Sequence, residues 1–450
     1  MNNKPNIVLL VSDDHGKEVG CYGNNTAVTP NIDSLAEAGI KFDNAFCTCS
    51  TCSPSRSVIL TGLHNHTNGM YGLNHSFHNF SSLDNITSLP QLIKKGNYRT
   101  GQVGKYHVGP REVYPFDEFI PGAGRNDVQM SENCRSFIEK DEQPFFLYWC
   151  SFNPHRSGEV VEEHPQKPNR FGNPEKSFAG DEEQIFDENE LEIPYYLSDI
   201  PEVRAELAQY YQSVARLDRG IGRLLSILKE NGKFDNTLII YISDNGSAFP
   251  ESKTTLYEPG MKLPCVVKPP VTEDYIKNST RDELISWVDL TPSILDYAGV
   301  AYEDEQFHGS SFKPIIDENI DSVPPEEIYA SHSLHEITNY YPMRVIRTKK
   351  YKFIWNIAHP LKYSIAKDVW ESATWQGIIE RDIEHFGKRS VEEYLHRPKF
   401  ELYDLENDPY ETENIADREE NRDIVKEFKE KIKSFQEETS DPWLHKWKYE

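Results

Sequence analysis

The sequence predicts an α/β fold: a large mixed, mostly parallel sheet flanked by helices, with a smaller C-terminal α+β subdomain carrying a short antiparallel sheet. Three observations predict it. Apolar runs of five to seven residues alternate with helical patterns through the first part of the 450-residue chain. Four of those runs are followed by ionisable or amide side chains, as at the ligand-bearing edge of an open sheet. After about Pro324 the runs become short and closely spaced, as antiparallel strands are, and a helical pattern follows. This divides the chain into a first domain over 1–323 and a subdomain over 324–450.

In chain order, Asn6–Ser12 (NIVLLVS) has the look of a strand buried on both faces, and Arg99–Gly104, 144–150 (PFFLYWC), Thr237–Ser243 (TLIIYIS) and 264–268 resemble it. Residues 202–230 carry apolar side chains at helical spacing, with Pro201 at the start and Asn231-Gly232 as the stop. Residues 158–200 are rich in Pro, Glu and Asn, with little periodicity. They fit either a long surface excursion near a site or a plain acidic insertion. Residues 328–333, 343–348, 351–355 and Phe400–Asp404 form the small sheet, with Lys349-Lys350 as a hairpin turn. Arg422–Glu438 closes the pattern as an amphipathic helix.

The net charge of −25 bounds the partners. It argues against broad nucleic-acid binding and against docking on anionic membranes. The tail from 401 to 450 concentrates it, with 16 acidic residues against 8 Lys and Arg. The one N-terminal apolar run is too short for a membrane span or signal peptide, so the chain as written reads as cytoplasmic, or periplasmic or secreted if a leader was trimmed. Seven cysteines, an odd number unevenly spread, do not make a secreted disulfide framework.

The strand ends carry the chemistry. Asp13-Asp14 follows the first run, Lys105-Tyr106-His107 the second, His155 the third and Asp244-Asn245-Gly246 the fourth. Three carboxylates and an amide carbonyl are hard oxygen donors that suit Ca²⁺ or Mg²⁺ better than Zn²⁺. An isolated Asp-Asp pair reads equally as a turn, and the second dyad at an equivalent strand end favours a metal. Asn245 also opens a glycosylation pattern, which a ligand role forbids. In Cys52-Ser53-Pro54-Ser55-Arg56, Pro54 suits a first helical turn and sets Cys52 at a helix N-terminus, where anions are favoured. Cys47, Cys49 and Cys52 also admit a Zn²⁺ thiolate site or a redox pair, but no second Cys/His cluster has suitable spacing.

With these motifs in place, the chain resembles the formylglycine-dependent sulfatases of the alkaline phosphatase superfamily. CSPSRSVILTG (Cys52 to Gly62) matches their C-x-P-x-R signature. NIVLLVSDDHG, GKYHVG, NPH, SDNG and the tail ELYDLENDPYETENIA match their other blocks in order. Within that family CSPSR, NGMYGL, HVGPREVYPFD, NPHR, LYEPG and ETSDPW look like the sulfamidase branch, the heparan N-sulfatases.

The resemblance implies an alkaline phosphatase-like sulfatase fold and a site. Asp13, Asp14, Asp244 and Asn245 would bind one Ca²⁺ together with Cys52. Cys52 would be converted to 3-oxoalanine (formylglycine) by a maturation enzyme, and hydrated to a diol. Arg56 and Lys105 would hold that diol, His107 would take a proton from its second hydroxyl, and His155 and Lys253 would contact the sulfate and assist the leaving group. Lys253 stands where sulfamidases have Arg, which keeps the charge and loses the bidentate fork. His75 and His78 are expected to line the sugar pocket, and Arg156 to contact substrate or pair with the acidic excursion. The expected partner is a sulfated mono- or oligosaccharide, cleaved from its end, and the resemblance makes a homodimer plausible. The competing readings are a carbohydrate O-sulfatase, a phosphate mono- or diesterase of the same superfamily, and a sulfoglycan-binding protein whose Cys52 stays a thiol.

Overall fold

The computed structural model describes residues 4–178, 181–273, 275–318 and 323–449. An eight-stranded sheet forms its centre: β1 (Asn6–Ser12), β2 (Ile40–Phe46), β3 (Arg99–Gly104), β4 (Glu118–Ile120), β5 (Phe145–Cys150), β6 (Thr237–Ser243), β7 (Cys265–Lys268) and β8 (Ser279–Ser286), in the spatial order β4-β3-β5-β1-β6-β7-β2-β8. β1, β5 and β6 are buried at every residue, which is why their sequences are apolar throughout rather than alternating.

β3, β5, β1 and β6 are adjacent and parallel. Their carboxyl ends therefore lie side by side, and the four chemistry-bearing segments that follow them meet at one edge. β7 departs from the expectation that the 264–268 run resembles the parallel strands: it runs antiparallel to both β6 and β2. The β6–β7 connection holds only one helical turn, Glu258–Met261, so it returns the chain directly instead of crossing over. β2, β4 and β8 escape the apolar-run signal because they are short or partly exposed, and β8 alternates half-exposed and exposed residues over its first half.

The helix Pro201–Glu230 packs its apolar stripe on one face of the sheet, with Leu217, Ile221, Leu224 and Leu228 in the same buried cluster as Val8, Leu10 and Leu147. Its N-terminal half is covered by the 158–200 segment, which is more than a surface excursion. Phe171, Leu191, Tyr196 and Leu197 from that segment are buried against Leu207, Tyr210 and Tyr211.

A second sheet is formed by β9 (Glu327–Leu334), β10 (Tyr340–Thr348), β11 (Tyr351–Asn356) and, beyond a two-residue ribbon of β12 (His385–Phe386) with β13 (Arg389–Ser390), β14 (Phe400–Asp404). It is antiparallel in the order β14-β11-β10-β9, and Lys349-Lys350 turns β10 into β11. The helix Arg422–Glu438 covers it with Val425, Phe428 and Ile432. Ile328, Met343 and Ile354 belong to the same buried cluster as Phe46 and Leu263, so the C-terminal sheet packs on the central one. Among the described residues, no helix is long and apolar enough to cross a membrane.

Candidate active site

Cys52 opens the helix Cys52–Thr61, all ten of whose residues are buried, and Gly62 ends it in the left-handed region at φ 67°. The motif residues around Cys52 pin this helix in place. The Ser53 hydroxyl accepts from the Asn74 amide at 3.0 Å, and the Ser55 hydroxyl donates to the Asp244 carbonyl at 2.5 Å. Arg56, one turn beyond Cys52, is fully buried and donates through Nε to Asp244 Oδ2 at 2.9 Å. The helix is thereby tied to the end of β6.

The metal candidates converge on Cys52. Its Sγ lies 3.8 Å from Asp14 Oδ1. Ligand atoms of Asp13, Cys52 and Asp244 fall within 4.8 Å of one another, as do those of Asp14, Cys52 and His155. Asp14 turns its carboxylate into this cluster from a left-handed backbone (φ 58°), a strain of about 1–3 kcal/mol that is characteristic of functional positions. Asp13 Oδ1 and Asn245 Oδ1 are buried oxygens without a hydrogen-bond partner. Unsatisfied buried acceptors of this kind fit a hard cation, whose coordination would satisfy both. Asn245 is fully buried, which excludes glycosylation there.

Three cations face the three carboxylates. Lys105 Nζ donates to Asp13 Oδ2 at 2.5 Å, Arg56 grips Asp244, and Lys253 Nζ donates to Asp14 Oδ2 at 2.8 Å. Burial opposes ionisation of Asp13, but Lys105, His155 and Arg56 outweigh it and hold its carboxyl well below the usual range. Burial also pushes the Cys52 thiol well above its ordinary value, with Lys105 opposing and Asp14 adding to the rise. A reactive thiolate needs the opposite shift, so Cys52 as a plain thiol is not a nucleophile here.

His107 and His155 serve different faces. His107 (φ 53°) is held by His75, whose Nδ1 lies 2.6 Å from His107 Nε2, while its own Nδ1 is buried without a partner. Burial, with Lys105 and Arg56 nearby, depresses its pKa well below the usual value, which keeps the ring neutral. His155 Nδ1 lies 2.5 Å from the Arg156 carbonyl and donates to it, which leaves Nε2 to accept from Lys253 Nζ at 3.3 Å. Arg125, which the sequence gave no reason to single out, fixes this loop by donating to the carbonyls of His155 and Arg156 at 2.8 and 3.1 Å.

A cavity of about 590 Å³ opens over this cluster, lined by Cys52, His75, His107, His155 and Lys253 and by Lys167 and Asn169 of the 158–200 segment. That segment does border the site. His78 does not line the cavity: it is buried beneath His75, with its Nε2 3.7 Å from Glu336. Arg156 touches the cavity wall, but its guanidinium is committed elsewhere. It meets Glu206 of the long helix through two bonds of 2.6 and 2.8 Å, donates to the Ala248 carbonyl, and lies against the rings of Phe171 and Phe249. Its carboxylate partner is Glu206 of the long helix and not a residue of the acidic excursion. Arg156→Ala leaves the buried Glu206 without a cation, held only by the amides of Asn169, Ala373 and Thr374, and costs about 3 kcal/mol. Thermal unfolding of this variant, compared with Arg156→Lys, checks this.

Cys47 and Cys49 are buried free thiols, against the Gly260 carbonyl and 4.0 Å from His332 Nδ1, and all seven cysteines are free. Neither traps Cys52. Among the described residues, the only groups of three metal-capable side chains are the two at Cys52, which leaves the thiolate-zinc reading without a site.

The C-terminal part adds residues that the sequence did not reveal. Asp368 Oδ2 accepts from Lys253 Nζ at 2.6 Å and lies 4.0 Å from His155 Nε2, and His335 lines the same wall. Asp368 shares Lys253 with Asp14 and would keep it at the cavity if a cation engaged Asp14. We expect Asp368→Asn to lower kcat about tenfold, near 1.4 kcal/mol, with a smaller change in KM. Asp368→Glu should recover most of the loss, which a purely structural role would not require.

With this geometry defined, the comparisons with known proteins are specific. Residues 5–300 match the sulfatase family model, and 251–372 match the model described as N-sulphoglucosamine sulphohydrolase, C-terminal. Human N-sulphoglucosamine sulphohydrolase is 35% identical, over 98% of this chain and 91% of its own length. An ulvan-active sulfatase of Formosa agariphila is 30% identical, over 96% and 79%. A solved structure from work on glycosaminoglycan metabolism by Bacteroides thetaiotaomicron superposes with a TM-score of 0.73 at 20% identity, covering 98% of both chains. Matched along almost its whole length, with the signature cysteine at the head of a buried helix, the chain belongs to the sulfatase family.

Proposed function

We propose that the enzyme hydrolyses the N-sulfate of a terminal glucosamine-type sugar, with Ca²⁺ (or Mg²⁺) held by Asp13, Asp14, Asp244 and Asn245 beside Cys52, and with Cys52 matured to formylglycine by a separate enzyme. The observation that carries the reaction class is the convergence of those oxygens with Arg56, Lys105, His107, His155 and Lys253 at the floor of one cavity. When bound, the cation and the matured side chain supply the Lewis acid and the nucleophile. Arg56 and Lys105 hold the nucleophilic position and offset charge that develops there. Neutral His107, oriented by His75, accepts a proton at Nδ1 or exchanges one with His75. Lys253, steadied by Asp368, meets a sulfate oxygen, and His155 Nε2 stands beside it to serve the leaving group.

The name of the human relative and the second family match support N-sulfate over O-sulfate. A cavity of about 590 Å³ fits a short ligand presented by its end, since ligand sites commonly span roughly 300–1,000 Å³. Lys253 in place of Arg, with the ulvan-active relative, favours O-sulfate as the second reading. Sulfate release by matured enzyme from N-sulfoglucosamine, from glucosamine 6-sulfate and from nitrophenyl sulfate, with nitrophenyl phosphate as the phosphoester arm, separates the readings. We expect the N-sulfate to be preferred by at least about a hundredfold. Release from O-sulfated sugars alone overturns the N-sulfate assignment, and phosphate release alone overturns the reaction class.

A further inference from the structure

A second cavity, of about 650 Å³, shares no lining residue with the catalytic one. Its walls come from the chain just beyond Asp13-Asp14, from the end of the 158–200 segment, from the turn Glu258–Met261 and from the end of β10. Nothing in the proposed reaction uses it.

Its cations outnumber their partners. Lys17 makes no carboxylate ion pair: its Nζ donates to the Asp43 carbonyl at 2.6 Å and lies 4.6 Å from the centre of the Tyr22 ring. Lys262 reaches only Glu258, at 3.8 Å. Arg347, 3% exposed, donates through Nη2 to the same Glu258 at 3.2 Å, and its Nη1 has no hydrogen-bond partner. Lys352 meets Glu258 as well, at 3.1 Å, and has Glu411 besides. Glu258 is thus shared by three cations, of which only Lys352 has a second carboxylate, and Lys17 stands beside them without a direct ion pair. Burial first, and then the nearby Lys262, lower the Lys17 pKa to about 7, with the charges of Asp43 and Glu258 opposing them.

The remaining charges of the cavity do not cancel this. Glu18 is buried and occupied by the hydroxyls of Tyr196 and Tyr210, with its pKa raised by burial. Glu192 is exposed, and Lys349 is paired with Asp282 at 2.8 Å. The same cavity has an aromatic side. The rings of Tyr195 and Tyr410 lie 4.5 Å apart between centroids at a tilt of 48°, with Pro194 and Pro409 beside them and Lys388 over the Tyr410 ring.

We propose that this cavity is a second, non-catalytic binding site for an anionic sugar. The acid group sits on Lys17 and Lys262, with the buried Arg347 adding positive charge behind them, and the ring packs against Tyr195 and Tyr410. Unpaired donors in a chain of net charge −25 make a local anion trap on a repelling molecule. The volume exceeds what a bare sulfate fills, and the tyrosine face suits the apolar face of a pyranose. A sulfated sugar and a uronic acid share this chemistry, and the experiment separates them.

The test uses the Cys52→Ala chain, which cannot turn over, titrated calorimetrically with glucose 6-sulfate, glucuronate and neutral glucose. No arm depends on the sulfatase reading. We expect saturable binding of at least one acidic sugar, with glucose at least about tenfold weaker, and the stronger acidic probe identifies the source. Adding Lys17→Gln with Lys262→Gln should weaken that binding by about tenfold or more, while adding Lys253→Ala in the catalytic cavity should leave it in place. Tyr410→Ala, a milder change on the ring side, should weaken it at an unchanged thermal midpoint. Binding lost with Lys253→Ala but kept in the double lysine variant, equal binding of glucose, or no saturable binding would each overturn the proposal.

Discussion

Replacing Cys52 by alanine abolishes sulfate release, by a factor on the order of 10⁴ or more, and leaves the fold intact. The asymmetry follows from the surroundings of Cys52. Its Sγ has one hydrogen-bond partner, Asp14 Oδ1 at 3.8 Å, and its helix is anchored by Ser53, Ser55 and Arg56 rather than by the thiol. Losing one buried sulfur costs about 1 kcal/mol of packing, whereas the reaction loses its nucleophile. Cys52→Ser should be active only to the extent that its CH2OH group is oxidised to the same aldehyde, because an unoxidised serine lacks the second hydroxyl of the diol. Sulfate release, thermal unfolding and mass spectrometry of the tryptic peptide 42–56 check the three parts. An active alanine variant, or active enzyme whose peptide retains the Cys52 thiol, would sink the assignment of Cys52 as nucleophile.

Removing the divalent cation by chelation silences the enzyme, on the order of 10³-fold or more, and adding Ca²⁺ back restores it. The thermal midpoint should fall little, because Asp13, Asp14 and Asp244 are already answered by Lys105, Lys253 and Arg56. Stripping the cation leaves no isolated buried carboxylate. Asp244→Ala should behave differently, losing activity and stability together. It removes the acceptor for the Asp14 and Asn245 amides at 3.1 and 2.8 Å and strands the fully buried Arg56, a cost of about 3–5 kcal/mol. Activity and unfolding, measured side by side on chelated wild type and on Asp244→Ala, check the contrast. A chelated enzyme that unfolds as readily as Asp244→Ala would show that the three cations do not balance the cluster.

Much of the site was legible because its residues follow strands. An apolar run that ends in Asp-Asp, Lys-x-His or Asp-Asn declares both a buried strand and what its end presents. A parallel sheet then places those ends together without further information. The pairing of β3, β5, β1 and β6 as neighbours did the rest. Residues whose partners are distant in sequence were not legible. Arg156 looked like a substrate contact because it follows His155, and only the packing of the long helix put Glu206 against it. His78 looked like His75 three residues on, yet the loop turns one ring outward and buries the other. Asp368, 115 positions from Lys253, sits in a stretch with no motif of its own.

The sequence by itself determined the strands of the central sheet's middle, the helix that Cys52 begins, the small C-terminal sheet and the inventory of donors and acceptors at the strand ends. These are properties of local pattern and spacing, and local pattern is set by nearest neighbours along the chain. The tertiary structure alone decided the antiparallel direction of β7, the capture of Arg156 by Glu206, the reach of Asp368 into the site and the surplus of cations around Glu258. Each of these depends on which surfaces meet once the two sheets and the long helix pack. Burial then sets the charge of a group by the partner it finds there, and that partner is specified by the fold and not by the residue's neighbours in the chain.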